Sequence, residues 1–313
     1  MRFLILGGSR FVGPALIKLL LSRNNSVTVL NRGTRSIPGT QQLVADRNNA
    51  DAMAKIGASC EPFDVVIDLS CYNRSQAQLA WSAFALHAKR WIHLSSIAVY
   101  AELSPIPSEQ SAIGSTAVWG EYGINKSDAD AFLLAQSGVP ITILRPPYLY
   151  GPGNHIDRET FVWKRVLRGI PVLIPGDGTA AVQFLHVEDL AQAILAAAEA
   201  PSSDTAVYNV AADTGVTLQE YVRKLAGICH ADDTGIAVRS ADAGFAAREY
   251  FPFGDHPCCM DFSLIGRALH WKPRYTFEKG FAQTYATYDP SMLQECALDL
   301  TVEHQILERL RQS

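Results

Sequence analysis

Arg2-Phe3-Leu4-Ile5-Leu6-Gly7-Gly8-Ser9-Arg10-Phe11-Val12-Gly13 is the stretch that decides the fold. Phe3 to Leu6 is apolar and short enough to be one buried strand. Gly7 to Gly13 is a glycine-rich turn, and Pro14 to Leu21 is apolar at helical spacing. Strand, glycine turn and helix start together make a phosphate cradle. Gly7 suits the tight turn, and Gly13 lets the helix pack closely on the strand. The unpaired backbone N–H groups and the positive end of the helix dipole then face an anion. The candidate phosphate contacts are Gly7, Gly8, Ser9, Arg10, Phe11, Val12 and Gly13.

Composition narrows the classes. The chain has 313 residues and 48% hydrophobic content, enough to bury the core of one or two domains. The formal charge is −4 and the pI about 6.1. No run of Lys or Arg marks a nucleic-acid or anionic-membrane surface. The six cysteines, at positions 60, 71, 229, 258, 259 and 296, have no CxxC spacing. Free thiols in a reducing compartment are the simple reading. The adjacent Cys258 and Cys259 are poorly placed to chelate one ion, so no metal is expected. The first apolar run stops at Gly7, Arg10 follows, and no small-residue cleavage site appears. No stretch reaches the length of a membrane span. The expected location is cytoplasmic.

Strands alternate with helices beyond the first turn. Ser26–Leu30, Leu43–Ala45, Phe63–Leu69, Arg90–Leu94, Pro140–Leu144 and Val207–Val210 read as strands. Asp51–Gly57, Gln76–Leu86, Lys126–Gln136 and Glu188–Glu199 read as helices. This order predicts an α/β fold, a doubly wound parallel sheet of Rossmann type. Residues 1–150 form the dinucleotide-binding domain, whose core also receives about 182–212. Residues 151–313 form a smaller C-terminal part for substrate, with helices at Glu159–Arg168, Thr217–Ile228, Phe262–Leu269 and Phe277–Tyr288, and one or two in Pro290–Arg311. Ligands in such sheets bind at the carboxyl ends of strands. Those ends are Gly7, Asn31, Asp46, Ser70 to Asn73, Ser95, Ser96 and Arg145.

The end of the second strand separates NAD from NADP. A carboxylate there binds the ribose 2′-hydroxyl, and a basic corner accepts a 2′-phosphate. Here it reads Leu30-Asn31-Arg32-Gly33-Thr34-Arg35, without a carboxylate. With Arg10, three guanidinium groups favour NADP, and NAD is the alternative. Asp46 is either an acceptor for the adenine amino group or a turn cap. Arg47, Ser70, Tyr72, Lys126 and Pro147 complete the candidate cofactor contacts.

Tyr122 and Lys126 stand at i and i+4, on one face of a helix. An ammonium beside a phenol favours its ionised form, and such a pair can exchange a proton with a substrate oxygen while hydride moves. Ser96, at the end of the fifth strand, can hydrogen-bond that oxygen. The candidate catalytic set is Ser96, Tyr122 and Lys126. The candidate substrate pocket is Tyr72, Ser96, Tyr122, Tyr148 and Phe251. His186 and Asp189 form a tempting pair, but they open a strong helix and read better as packing.

These motifs resemble an extended short-chain dehydrogenase/reductase of the NAD-dependent epimerase/dehydratase type. The resemblance runs through Gly7–Gly13, Asp46-Arg47, Leu94-Ser95-Ser96-Ile97-Ala98-Val99-Tyr100 and Tyr122/Lys126. It continues in Leu144–Gly153, Phe184–Ala191 and Leu269–Pro273. The turn and Leu30-Asn31-Arg32-Gly33 are closest to an atypical branch that includes chloroplast stem-loop-binding proteins and bacterial epimerase-like proteins. The resemblance implies that Tyr122 is the acid/base, that Lys126 holds the nicotinamide ribose, and that Ser96 orients substrate. Extended members often pair through two helices, so a homodimer is possible.

Three departures narrow the reaction. Arg10 replaces the middle glycine of the usual turn. Ile97-Ala98 stands where 4,6-dehydratases of this family have Asp-Glu, which argues against that reaction. Val182 stands where enzymes for nucleotide sugars commonly have an arginine for the diphosphate. The leading expectation is an NAD(P)-dependent oxidoreductase or epimerase acting at a carbinol or ketone carbon of a sugar, sugar nucleotide or related small metabolite. An NADPH-dependent ketone reductase of a secondary metabolite is the alternative. An RNA-binding protein and a non-catalytic NADP sensor are readings of other classes.

Overall fold

The computed structural model describes residues 1–114, 118–201, 204–212 and 215–312. Its backbone divides into two compact units. The first comprises Met1–Leu149, Leu185–Ala211 and Met260–Arg274. The second comprises Tyr150–Phe184, Ala212–Cys259 and Tyr275–Ser313. Met260–Arg274 thus returns to the first unit from the stretch assigned to the C-terminal part.

The first unit is built on a seven-stranded sheet. Its strands are β1 (Arg2–Leu6), β2 (Ser26–Asn31), β3 (Gln41–Val44), β4 (Val65–Asp68), β5 (Trp91–Leu94), β6 (Ile141–Arg145) and the late strand Ala206–Asn209. In space the order is the late strand, β6, β5, β4, β1, β2, β3, and every pair is parallel. The sequence order reverses beside β1, which puts the glycine turn at the topological switch point. The helices are α1 (Val12–Ser22), α2 (Ala50–Ser59), α3 (Arg74–Phe84) and α4 (Gly120–Leu134), with α5 (Glu159–Val166) in the second unit and α6 (Val187–Glu199) back in the first.

Alternation along the strands fills both faces. Phe3, Ile5, Val65, Ile67, Ile92 and Leu144 pack with α1 and α6 through Leu16, Ile17, Leu190 and Ile194. Leu4, Leu6, Val66, Trp91, Ile141 and Ile143 pack with α2, α3 and α4 through Met53, Ala80, Phe84, Ala129 and Leu133. Burying each of the Val, Leu, Ile, Met and Phe side chains contributes about 1.5–3 kcal/mol.

Several boundaries differ from the expected ones. β3 is Gln41–Val44, not Leu43–Ala45. It is an edge strand, and Gln41 and Gln42 are placed by backbone pairing with Thr28 and Val29 rather than by burial. α4 begins at Gly120, six residues before the expected Lys126, so Tyr122 lies within its first turn. Pro290–Arg311 resolves into the helices Pro290–Glu295 and Thr301–Gln312.

The second unit contains α5, α7 (Leu218–Ile228) and two small strand pairs that sequence reading missed. Val172–Pro175 pairs in parallel with Gly235–Val238, and Ala181–Val182 antiparallel with Val216–Thr217. Its core is aromatic. Phe184 stacks on Tyr221 at 5.1 Å between ring centroids, and Tyr150 on Phe281 at 3.9 Å.

Candidate active site

The turn between β1 and α1 fits a dinucleotide pyrophosphate. Gly7 and Gly8 have φ of +97° and +86°, the region that L side chains avoid. The Gly7 N–H donates to the Leu30 carbonyl at 2.9 Å, fixing the turn to β2. A Cβ on Gly13 would lie 2.0 Å from the Gly8 carbonyl oxygen, so α1 touches the turn backbone to backbone. A Cβ on Gly7 would lie 2.9 Å from the Ser70 side chain. Phe11 is held at φ 45°, ψ −95°, a strained conformation for a side chain of its size. No side chain caps α1, and its first turn has no acidic residue. Its leading N–H groups are therefore disposed to an anion. Arg10, in the middle-glycine place, is exposed.

The corner at the end of β2 is tied together by Asn31. Its Nδ2 donates to Ser9 Oγ at 3.0 Å, while Oδ1 accepts from Gly33 N at 2.8 Å and Gln42 Nε2 at 2.7 Å. Arg32 and Arg35 are exposed on the loop that follows. Asp46 Oδ1 accepts from Asn48 N at 2.9 Å and so closes its own turn.

Arg47 takes a place that its sequence does not announce. Its two terminal nitrogens grip both carboxylate oxygens of Asp68 at 2.7 and 2.8 Å, and one also reaches Ser70 Oγ at 2.6 Å. Burial alone would raise the Asp68 carboxyl, but the guanidinium holds it below the ordinary carboxylate range. Arg47 thus stiffens the floor beside Gly7 by way of Ser70. Asp68, Cys71 and His93 are a group with metal-ligand spacing. Both oxygens of Asp68 are committed to Arg47. Burial, with Asp68 next in effect, pushes the Cys71 thiol up to about 12. This donor set therefore suits a protein ion pair better than a cation.

Lys126 is the most firmly held member of the expected catalytic set. It is 5% exposed, and Nζ donates to the Cys71 carbonyl at 2.7 Å and the Leu94 carbonyl at 2.9 Å. These carbonyls follow β4 and end β5, so the sheet itself positions the ammonium. An ammonium has three donors, and one remains. Tyr122, one turn earlier, is 41% exposed. Its ring meets Tyr72 edge-on at 6.3 Å, and Lys126 Nζ lies 5.7 Å from the Tyr72 ring. A Cβ on Gly123 would lie 2.7 Å from the Ala98 carbonyl. α4 therefore sits hard against the single turn Ile97–Val99 that follows Ser96. Ser96 Oγ accepts from Ala98 N at 3.2 Å. That bond uses a lone pair and leaves the hydroxyl hydrogen to donate.

The other expected residues take various places. Pro147 and Tyr148 follow β6, and the Tyr148 ring lies 6.1 Å from Trp119. Phe251 belongs to the second unit, 2% exposed, edge-on to Phe161 at 6.0 Å. His186 Nδ1 accepts from Glu188 N and caps α6, and burial pushes its imidazole down to about 4. Asp189 accepts from Arg274 N through both oxygens at 3.1 Å. Both residues hold the start of a helix.

Sequence reading missed a buried polar run across the sheet. His93 Nε2 lies 3.5 Å from Asp130 Oδ1. Asp130 Oδ2 receives Arg145 Nε at 3.0 Å, and Arg145 reaches Tyr100 Oη at 3.2 Å. The run fixes α4 to β5 and β6 behind Lys126. Its signal was present as a polar residue closing or interrupting an apolar stretch: His93 in Trp-Ile-His-Leu and Arg145 after Ile-Leu.

A glycine cradle at the switch point of a parallel sheet, with a Ser, Tyr and Lys set two strands away, defines a dinucleotide-binding α/β protein. The match of residues 3–211 to the NAD dependent epimerase/dehydratase family makes the class specific: the chain belongs to that family. The chloroplast stem-loop binding protein of 41 kDa b from Arabidopsis thaliana is 27% identical over 305 residues, covering 91% of this chain and 78% of that protein. A 2′-dehydrokanamycin reductase from Streptomyces kanamyceticus is 27% identical over 204 residues, covering 62% and 57%. A UDP-glucose 4-epimerase structure from Thermotoga maritima superposes with a TM-score of 0.77 at 19% identity, covering 92% and 98%, and confirms the fold. No helix of the described residues is long and apolar enough to cross a membrane.

Proposed function

We propose that this chain is an NADP-preferring oxidoreductase that moves hydride at a carbinol or ketone carbon of a sugar-like metabolite, with Tyr122 as the acid/base. The observation that carries the reading is Lys126, buried and fixed by the Cys71 and Leu94 carbonyls one turn from Tyr122. A buried ammonium on two carbonyls, with one donor to spare, is well suited to hold a ribose hydroxyl. The glycine turn would hold the pyrophosphate, and a nicotinamide supplies or accepts the hydride when bound. In reduction, Tyr122 Oη gives its proton to the carbonyl oxygen that becomes the alcohol. In oxidation it takes that proton back. The Ser96 hydroxyl donates to the same oxygen and orients it.

Preference for NADP is supported at the corner. Asn31 replaces the usual carboxylate and has its side chain committed within the protein. Arg10, Arg32 and Arg35 are exposed around it and suit a 2′-phosphate. Two features favour a substrate without a nucleotide diphosphate. Val182 is 1% exposed where an arginine would be needed, and a relative is named for reducing a dehydro-sugar antibiotic. Release of bound dinucleotide from denatured protein, identified by mass spectrometry, tests the cycle. Near-stoichiometric cofactor indicates an epimerase, which regenerates it in place. An empty site that binds NADPH reversibly indicates a reductase.

A second reading, RNA binding, follows from the likeness to the stem-loop binding protein of Arabidopsis thaliana. The formal charge of −4 works against it. Retention on RNA that falls steeply with salt would favour it over the redox reading.

A further inference from the structure

Tyr72 is a large aromatic side chain that the core does not use. It stands just past β4, is 59% exposed, and is in neither of the apolar clusters that cover the two faces of the sheet. Its ring contacts fall instead on the expected acid/base pair. The Tyr72 ring meets the Tyr122 ring edge-on, with centroids 6.3 Å apart and planes at 63°. Lys126 Nζ lies 5.7 Å from the centre of the same ring. One side chain from outside α4 thus touches both Tyr122 and Lys126.

The backbone under that ring is fixed from both sides. The Tyr72 N–H donates to Gln76 Oε1 at 2.8 Å, and Gln76 Nε2 donates to Asn48 Oδ1 at 2.9 Å. The carbonyl of the preceding residue, Cys71, accepts from Lys126 Nζ at 2.7 Å. Tyr122 has less support from its own helix. It lies in the first turn of α4 between Gly120 and Gly123, which leave the backbone freer than other residues do. Its phenol is 41% exposed, so several staggered rotamers are open to it. An acid/base misplaced by about 1 Å loses on the order of 100-fold in rate. An edge-on aromatic pair favours its own arrangement by about two- to tenfold. An ammonium within about 6 Å of a ring centre adds about two- to fivefold.

We infer that Tyr72 is a positioning residue: its ring selects the rotamer in which the Tyr122 phenol can exchange a proton with substrate, and braces the Lys126 ammonium against the same ring. The Tyr72 hydroxyl has no part in this role. The inference rests on the redox reading for the role of Tyr122 and adds the group that aims it.

Tyr72→Ala and Tyr72→Phe in the full-length protein test it by two readouts. The first needs no substrate: fluorine NMR of protein labelled with fluorotyrosine, the Tyr122 signal being assigned by its loss in Tyr122→Phe. In Tyr72→Ala the transverse relaxation rate of that signal should fall about twofold as the ring becomes mobile, and in Tyr72→Phe it should match wild type. The second is reduction of a methyl keto-glucopyranoside by NADPH. In Tyr72→Ala kcat should fall about tenfold, with KM and the NADPH Kd within about twofold, and Tyr72→Phe should recover it. Equal mobility of Tyr122 in Tyr72→Ala and wild type would overturn the inference. So would a kcat in Tyr72→Phe as low as in Tyr72→Ala, which would assign the effect to the hydroxyl. Full turnover in Tyr122→Phe would instead overturn the redox reading. If wild type does not reduce this probe, the mobility of Tyr122 decides.

Discussion

The two units fix their polar groups in different ways. In the first, the expected catalytic side chains and the glycine turn are tied to backbone: Lys126 to two carbonyls, Ser96 to an N–H, and α1 to the turn through Gly13. In the second, the polar groups on and beside α5 are tied mainly to other side chains: Lys164 to Asp157, Arg165 to Glu303 and also the Phe161 carbonyl, and Glu159 to Asn154 at 3.0 Å. Backbone anchors follow from the sheet and tolerate little change. Side-chain anchors can be exchanged in pairs, so the second unit can vary in sequence more freely than the glycine turn and the ends of β4 and β5.

The largest expected effect is on the first kind of anchor. Tyr122→Phe removes the proton but leaves the ring against Tyr72. Turnover on keto-sugars, followed by nicotinamide absorbance, should fall by about 10³-fold, within the range of general acid–base catalysis. The NADPH dissociation constant should stay within about twofold. Undiminished turnover would remove Tyr122 from the chemistry.

Glu159 sharpens the contrast from the other side. It is 1% exposed, and burial raises its carboxyl from 4.5 to about 7. Between those values the folded chain keeps a proton that the unfolded chain has lost. The contribution of Glu159 to stability therefore falls as pH rises from about 4.5 to about 7, by on the order of 3 kcal/mol, while His186, whose imidazole is pushed down to about 4, contributes in the opposite sense. Urea unfolding of wild type and Glu159→Gln at pH 5 and pH 7.5 separates the two. Stability should rise more with pH in Glu159→Gln than in wild type, and an equal slope in both would rule the group out.

Gly13→Ala should cost about 2–3 kcal/mol of stability, because the new methyl meets the Gly8 carbonyl rather than a movable side chain. Cofactor binding should be lost before folding is. A variant with normal melting and normal NADPH affinity would show that the turn has slack. The smallest effect is at the corner. Asn31→Asp puts a carboxylate where a 2′-phosphate would sit and should shift the NADPH-to-NADH affinity ratio about tenfold toward NADH, or about 1.4 kcal/mol. An unchanged ratio would place the discriminating contacts elsewhere.

The sheet and the first site were largely legible in the sequence, because each depends on local pattern. Phe3 to Leu6 and Val65 to Ile67 are apolar in the way doubly covered strands must be, and Gly7 to Gly13 has few other uses. The early start of α4 was hidden by Gly120 and Gly123, poor helix formers, of which Gly120 sits at φ +53° and Gly123 makes the close approach to Ala98. Val172–Pro175 and Gly235–Val238 were missed because each becomes a strand only by meeting the other across some 60 residues. Their breakers, Pro175 and Gly235, read as loop. Arg47 was expected to touch cofactor, yet its place is decided by Asp68, 21 residues away, which no local pattern reveals.

Direct titration of the purified protein with NADPH and NADH, followed by nicotinamide fluorescence, tests the central claim most directly. The geometry of the glycine turn, Asn31 and the three arginines predicts saturable binding of both, with NADPH at least tenfold tighter. Binding of neither dinucleotide at millimolar concentration would contradict it.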